Sequence, residues 1–454
     1  MKNCQTHAAH TKVAAPRLAT LALTLTLAMT SAFAVTNAQA SGTATPTATA
    51  TTPATTANTT AAKKTPYDAK AWATLYPREY YSSLGSADHL DDPNDPNFGY
   101  GHGSQGKYMM KSIKAAKETG GQNATCFSCK TARFNDIYRA YGDEVFEGKK
   151  SPKYAEMLRI EDFWSCDTCH SDIKHPAASV GAQLMTPGIF GKELFEKLPP
   201  KTAACAQCHN NLSPWSDSRI VPAKKMMDAK KSAYRYGWDA DALIKATLED
   251  AVPTGVRYPE GKTYETSPAA HAKTDKALGI YLIANGNHAD AEVFADSLHA
   301  KMGVTCADCH MPVVEDQQLG TYRSHDSSKS VLNSKASMQY CLTCHTNDKV
   351  KTVKDMTDYV RAAQADIAKR DAIVAEKLDQ TFDRLKAAIT SGKVDAKVIE
   401  TAKRNYATAS YYKEFIYGNR GATPGEKVAH NPQMNRELLE KAAKLLDDTM
   451  AMLP

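Results

Sequence analysis

Ten of the eleven cysteines in this 454-residue sequence fall into five pairs with two residues between the partners: Cys126/Cys129, Cys166/Cys169, Cys205/Cys208, Cys306/Cys309 and Cys341/Cys344. Four pairs are followed at once by histidine, in CDTCH (His170), CAQCH (His209), CADCH (His310) and CLTCH (His345). Two thiols on one turn of chain can form thioethers to the two vinyl groups of a haem, and the next side chain then points at the iron. The pattern is that of c-type haem attachment. Paired cysteines also build disulfides and zinc ribbons. With 14 histidines in the chain, chance rarely sets one directly after a pair, and four pairs of five favours haem. The fifth motif, CFSCK, has Lys130 where histidine would stand. An amine ligates iron only when deprotonated, so burial and the metal itself must lower its pKa; the other reading is a degenerate site or a pair without haem.

Five six-coordinate irons need ten axial ligands, and the motifs supply five: Lys130, His170, His209, His310 and His345. Beyond residue 40 and outside the motifs stand His89, His102, His175, His271, His288, His299, His325 and His430. Electron-transfer haems in dense multihaem proteins are usually bis-histidine, whereas a catalytic haem leaves one face free. Four distal histidines and one vacancy is therefore the expected count. These residue types alone leave open which four of the eight serve, since any of them could equally be a surface or core histidine.

From about residue 70 to the C-terminus the chain resembles the pentahaem ammonia-forming cytochrome c nitrite reductases, which carry one lysine-ligated haem followed by four CxxCH haems in this order. Asn287-His288 and Ser297-Leu298-His299 ahead of VTCADCHMP are similar to that family's active-site histidine, axial histidine and fourth haem motif. Gly101-His102, Tyr322-Arg323-Ser324-His325 and His430-Asn431-Pro432 resemble its remaining distal-ligand segments. The resemblance implies His102, His299, His325 and His430 as the distal ligands. It leaves the Lys130 haem open, with His288 free above it.

Several positions depart from the family. Where it has Arg-Thr-Gly before the CxxCK, this chain reads Lys117-Glu118-Thr119-Gly120, with Lys114 or Lys117 as substitutes for the substrate-binding arginine. After the third motif, Asn210-Asn211-Leu212-Ser213 replaces the Glu-Tyr pair that supplies a calcium ligand and an active-site tyrosine. Asn285-Gly286-Asn287-His288 replaces Lys-x-Gln-His. Calcium sites normally include carboxylates, so no calcium is expected here even though asparagine carbonyls remain at 211 and 287. Arg219 and Arg257 are further candidates for the missing cation.

The elements that must position these groups follow from the rest of the chain. Lys2, Lys12 and Arg17, a Leu/Ala/Thr-rich run and Ala38-Gln39-Ala40 read as a secretory signal over residues 1–40, without a transmembrane anchor or a lipid on Cys4. Residues 41–64, nearly all Thr, Ala and Pro, cannot offset their chain entropy by burial and read as a disordered linker. Residues 65–350 form the expected pentahaem domain, mainly α with little sheet, in which cofactors supply much of the core. Residues 351–454 form a long-helix region that carries the distal ligand His430. Within it Val353, Met356, Val360, Ala363, Ile367, Val374, Leu378, Leu385 and Ile389 make a narrow apolar seam ended by Gly392. The seam fits either a bundle packed on its own chain or, as the resemblance implies, a homodimer contact. The formal charge of +6 lies partly in the leader and the remaining basic residues are scattered, so no nucleic-acid site is read from it.

The resemblance implies a periplasmic terminal reductase with five covalently bound haems c. Nitrite is the leading substrate and His288 the proton donor, with electrons arriving from a membrane-anchored multihaem quinol oxidase or a soluble cytochrome. The departures allow hydroxylamine or sulfite instead. A pure electron carrier is the reading from another class, and it requires a sixth ligand on every iron.

Overall fold

A computed structural model describes residues 69–83, 131–141, 165–183, 195–210, 234–249, 256–257, 272–283, 289–327, 330–347, 349–416 and 423–454. The leader, the linker, Cys126, Cys129, Lys130, His102 and His288 lie outside the described residues, as do His89, His271, Lys114, Lys117, Asn211 and Arg219. All described residues belong to one compact unit.

Up to residue 352 the elements are short. They comprise helices α1 (Ala69–Leu75), α2 (Pro77–Ser83), α3 (Phe134–Tyr141), α4 (Pro200–Ala206) and α5 (Ala240–Glu249), then strands β1 (Val256–Arg257) and β2 (Leu282–Ile283). Helices α6 (Asp290–Ala295), α7 (Leu298–Lys301) and α8 (Cys306–His310) follow, then the hairpin β3 (Val313–Asp316) and β4 (Gly320–Arg323), and α9 (Lys335–Cys341). Among the described residues there are two sheets, each of two antiparallel strands, and the expectation of a mainly α chain with little sheet holds. The β3–β4 turn is closed by Asp316, whose carboxylate accepts the N–H groups of Gln318 and Leu319, both at 2.8 Å. This hairpin delivers the chain to His325.

Three long helices complete the fold: α10 (Val353–Ser391), α11 (Ala396–Phe415) and α12 (Pro432–Met452). Each begins on a side chain able to satisfy free backbone N–H groups: Thr352 with Asp355 in a capping box, Asp395, and Asn431 ahead of Pro432. Helix α10 stops at Gly392, whose φ of 64° is the left-handed conformation glycine adopts at little cost.

The apolar seam of α10 faces its own chain. Ile367, Val374, Leu378 and Leu385 are each no more than 1% exposed and pack in one core with Tyr406 of α11 and Leu438, Leu439 and Leu446 of α12. Met356 packs instead with Met338 of α9 and Val350, flanked by Val353 and Val360. The seam is therefore the inner face of an intrachain bundle and not the surface for a second copy. The outward face carries Tyr359 and Ile373, 53% and 45% exposed.

Candidate functional site

The local geometry of the motifs explains their spacing. In three of them the histidine N–H donates to the carbonyl of the first cysteine: His170 to Cys166 (2.9 Å), His209 to Cys205 (2.9 Å) and His345 to Cys341 (3.0 Å). In the same turns the N–H of the second cysteine closes on the first, Cys208 to Cys205 at 3.1 Å and Cys344 to Cys341 at 3.2 Å. The fourth, Cys306 to His310, is helix α8 itself. A single helical turn puts residues i, i+3 and i+4 on one face, so both sulfurs and the imidazole are presented together. In α8 the Asp308 carboxylate accepts from the Thr305 N–H (3.0 Å) and hydroxyl (2.6 Å), fixing the start of the turn.

Three of the four motif histidines face a second histidine. Ring centroids lie 6.3 Å apart for His170 and His325, 6.2 Å for His310 and His430, and 5.9 Å for His299 and His345. A metal–nitrogen bond of about 2 Å on each side, plus about 1 Å from each nitrogen to its ring centre, requires roughly 6 Å between imidazoles that share one iron. The pairs meet this spacing, and the residues fit haem. His299, His325 and His430, three of the distal ligands the resemblance implies, are the three found opposite motif histidines. His175 is not so placed: its side chain is 72% exposed and hydrogen-bonds Asp172 at 2.8 Å.

Most ring orientations are fixed from behind. The Nδ1 of His170 lies 2.7 Å from the Pro176 carbonyl, that of His325 lies 2.9 Å from the Arg323 carbonyl, and that of His299 lies 3.1 Å from the Ala429 carbonyl. Each leaves Nε2 for a metal, the arrangement that sets the tautomer of a ligating histidine. Burial, followed for His310 by the neighbouring His430 and His209, pulls the His310 pKa down to about 4. Burial likewise lowers His170, His325 and His345. The lowering favours the neutral ring, the form in which imidazole ligates a metal.

The sulfurs tell the same story. None of the eight described motif cysteines, Cys166, Cys169, Cys205, Cys208, Cys306, Cys309, Cys341 and Cys344, is in a disulfide, which removes the disulfide reading of these four pairs. Cys344 is exposed and the other seven are half-buried, so the sulfurs stand where a ligand could reach them. Burial pushes the thiols of Cys166, Cys169 and Cys309 up to about 12, surroundings that suit a neutral thioether. Among the described residues no three His, Cys, Asp or Glu side chains converge to hold a bare metal ion.

Successive motifs are packed against one another. Fully buried Gln207 donates to the Thr168 carbonyl (2.7 Å) in the CDTCH turn and lies in CAQCH itself. Cys306 lies in hydrogen-bonding contact with Cys205, and Lys201 reaches Asp308 at 3.7 Å. Ser337, one turn before Cys341, donates to the Cys309 carbonyl at 2.8 Å. Arg133, three residues past Lys130, reaches Asp167 at 3.8 Å.

Three residues that the motif reading passed over hold this arrangement together. Arg323 donates to the carbonyls of Ala307 (3.0 Å) and Met311 (2.5 Å) while its own carbonyl takes His325. One residue thus links the attachment turn of one site to the distal histidine of another. Asn431 starts α12 and donates to the Val293 carbonyl at 3.0 Å, which fixes His430 against α6. Asp290, at the start of α6, faces His209 at 3.1 Å, Lys427 at 2.6 Å and His430 at 3.4 Å. Burial opposes its ionisation, yet Lys427 and then the two imidazoles hold its carboxyl well below the usual range. The sequence held a signal for each: Arg323 and Asp290 lie two residues from implied site histidines, and Asn431-Pro432 is a helix start. Asn210, the residue after His209, donates to the Ala206 carbonyl at 2.8 Å and acts locally as a helix-end bond.

Residues 99–453 match the cytochrome c552 family. A similar solved structure is cytochrome c nitrite reductase from Desulfovibrio desulfuricans ATCC 27774, studied for the relevance of two calcium sites in its catalytic subunit, NrfA. The two are 16% identical, with a TM-score of 0.58 over 85% of each chain. At that identity the likeness establishes the fold. Four CxxCH turns, three of them with opposed histidines, and a family match over most of the length agree, and the chain belongs to the cytochrome c552 family, that of the cytochrome c nitrite reductases its motifs resemble.

Proposed function

We propose that the mature chain is a periplasmic pentahaem cytochrome that reduces nitrite to ammonium at the Lys130 site. The observation that carries this reading is the three histidine pairs at one-iron spacing, which close three of the CxxCH sites to substrate. His209 would take His102 as its partner. The motif without histidine is then the one with a free face, and the other four form the route for electrons.

Haem c held at the five cysteine pairs would supply one-electron iron centres and, at the Lys130 motif, a Lewis acid for a small anion. The protein does the rest. Cys166/Cys169, Cys205/Cys208, Cys306/Cys309 and Cys341/Cys344 would anchor the groups of the electron route. Cys126 and Cys129 would anchor the active group, and Lys130 would ligate it as a neutral amine. His288 would deliver protons, since imidazole titrates near neutrality. A cation must hold the anion and stabilise charge as the N–O bond breaks; Lys114, Lys117, Arg219 and Arg257 are the candidates on this chain. No calcium is proposed at Asn211 and Asn287, where no carboxylate accompanies the asparagines. Electrons would come from a membrane-anchored multihaem quinol oxidase or a soluble cytochrome. A homodimer would use the outward face of α10, where Tyr359 lies 6.0 Å from the His345 ring.

The replaced arginine and tyrosine favour a second reading of the same site, a pocket repacked for hydroxylamine or sulfite. Titrating the oxidised holoprotein with nitrite, hydroxylamine and sulfite, while following the high-spin absorbance, tests both. A shift with nitrite at micromolar concentration is expected. A shift with sulfite or hydroxylamine but not nitrite would transfer the assignment. No high-spin band at all would leave an electron carrier.

A further inference from the structure

Asp290 differs from the groups behind the other placed histidines. His170, His325 and His299 are backed by backbone carbonyls, which are neutral. His209 is backed by a carboxylate oxygen of Asp290 at 3.1 Å, and the other oxygen of the same carboxylate stands 3.4 Å from Nδ1 of His430. That second oxygen also accepts from Lys427 at 2.6 Å. His209 belongs to the third cysteine motif, whereas His430 faces His310 of the fourth. A single carboxylate therefore stands behind axial histidines of two different sites.

The surrounding chain is built to keep it there. Asp290 is the first residue of α6, and the next N–H, that of Ala291, donates to the His209 carbonyl at 3.0 Å. Asn431 ties the residue after His430 to the Val293 carbonyl of the same helix. Helix α6 thus grips both segments, and the Asp290 side chain is only 13% exposed. Water screens such a charge weakly.

We propose that Asp290 is a shared positioning residue that, oriented by Lys427, sets the potentials of the third and fourth haem sites together. The inference rests on the ligand reading above, in which His430 serves the His310 site. With Nε2 on the metal, the Nδ1–H of His209 donates to the carboxylate at 3.1 Å, whereas Nδ1 of His430 makes no hydrogen bond and meets the carboxylate as a charge 3.4 Å away. A carboxylate behind a ligating histidine raises the ligand's basicity. A more basic ligand and a nearby buried negative charge both favour the ferric over the ferrous ion, so both potentials are lowered. Lys427 offsets part of this by withdrawing charge from one oxygen. Because one carboxylate serves both sites, the two should move together when it is changed.

The test is a spectroscopically monitored redox titration of the five-haem holoprotein, with Asp290→Asn, Lys427→Met and His430→Gly beside the wild type. Asp290→Asn should keep every low-spin haem and raise two potentials, each by about a tenfold change in its one-electron equilibrium, or 59 mV. The components assigned to the His170/His325 and His299/His345 sites should stay in place. Lys427→Met should move the same two components downward, and it remains informative if Asp290→Asn fails to fold. Movement of one component only, of all components equally, or of none overturns the proposal. His430→Gly should convert one haem to high spin. If it does not, the ligand reading itself falls, a failure distinguishable from unmoved potentials in Asp290→Asn with the His430→Gly conversion intact.

Discussion

Removing the imidazole of His325 should convert one haem of five from low to high spin without unfolding the chain. The ring sits 6.3 Å from His170, the separation one iron fills, so nothing else in that pair can supply the sixth ligand. Replacement by glycine deletes the ring and its contact with the Arg323 carbonyl at 2.9 Å, a hydrogen bond worth about 1 kcal/mol net. It leaves the backbone tie, in which the His325 N–H donates to Ser82 at 2.9 Å, and the two carbonyl contacts of Arg323. The cost to folding is therefore small against a typical stability of about 5–15 kcal/mol. Electron paramagnetic resonance of the oxidised holoprotein should pass from four low-spin signals and one high-spin signal to three and two. Imidazole added in solution should enter the vacated space and restore the fourth low-spin signal. An unchanged spin count in His325→Gly would refute the reasoning, because it would mean that the facing rings do not share an iron.

Other outcomes test the scaffold. Lys413 and Asp371 form an ion pair at 2.9 Å between α11 and α10, with side chains 0% and 3% exposed. Lys413→Met should cost about 3–5 kcal/mol in urea unfolding by stranding a buried carboxylate, and adding Asp371→Leu should recover most of it. Leu385→Ala, at a fully buried position of the α10 seam, should cost about 2–5 kcal/mol and lower the thermal midpoint. Arg436, donating at 3.0 Å, and Arg370 hold the Asp366 carboxyl below its usual pKa against the opposing effect of burial. A depressed carboxylate stabilises above the unfolded value, near pH 4, and that contribution fades as pH falls through the folded one. The urea midpoint of Arg436→Gln should thus lag the wild type at pH 6 and converge on it at acid pH.

Much of this was legible in the chain because covalent chemistry leaves strict spacing. Cysteine pairs followed by histidine mark helical turns whatever the fold around them, and the capping residues Thr352, Asp395 and Asn431 sit at the starts of the helices they announce. The α10 seam was legible as a periodic stripe, but period alone cannot say whether the partner is α11 and α12 or another copy; only the packing of Leu378 and Leu385 decides that. Which distal histidine faces which motif was hidden for a similar reason. His345 meets His299 and His310 meets His430 across long stretches of chain, and such pairing depends on tertiary contacts such as those of Arg323 and Asn431. For Asp290 the sequence offers only its place two residues after His288, since a lone carboxylate has no spacing rule of its own.

Nitrite reduction at the Lys130 site is tested most directly by supplying nitrite and a reduced dye to the holoprotein with five haems attached, and measuring ammonium against nitrite consumed. One ammonium per nitrite is expected, with six electrons withdrawn from the dye, and that turnover should be lost when His288 is replaced by alanine. Nitrite left untouched by a fully loaded protein that shows no high-spin haem would contradict the assignment.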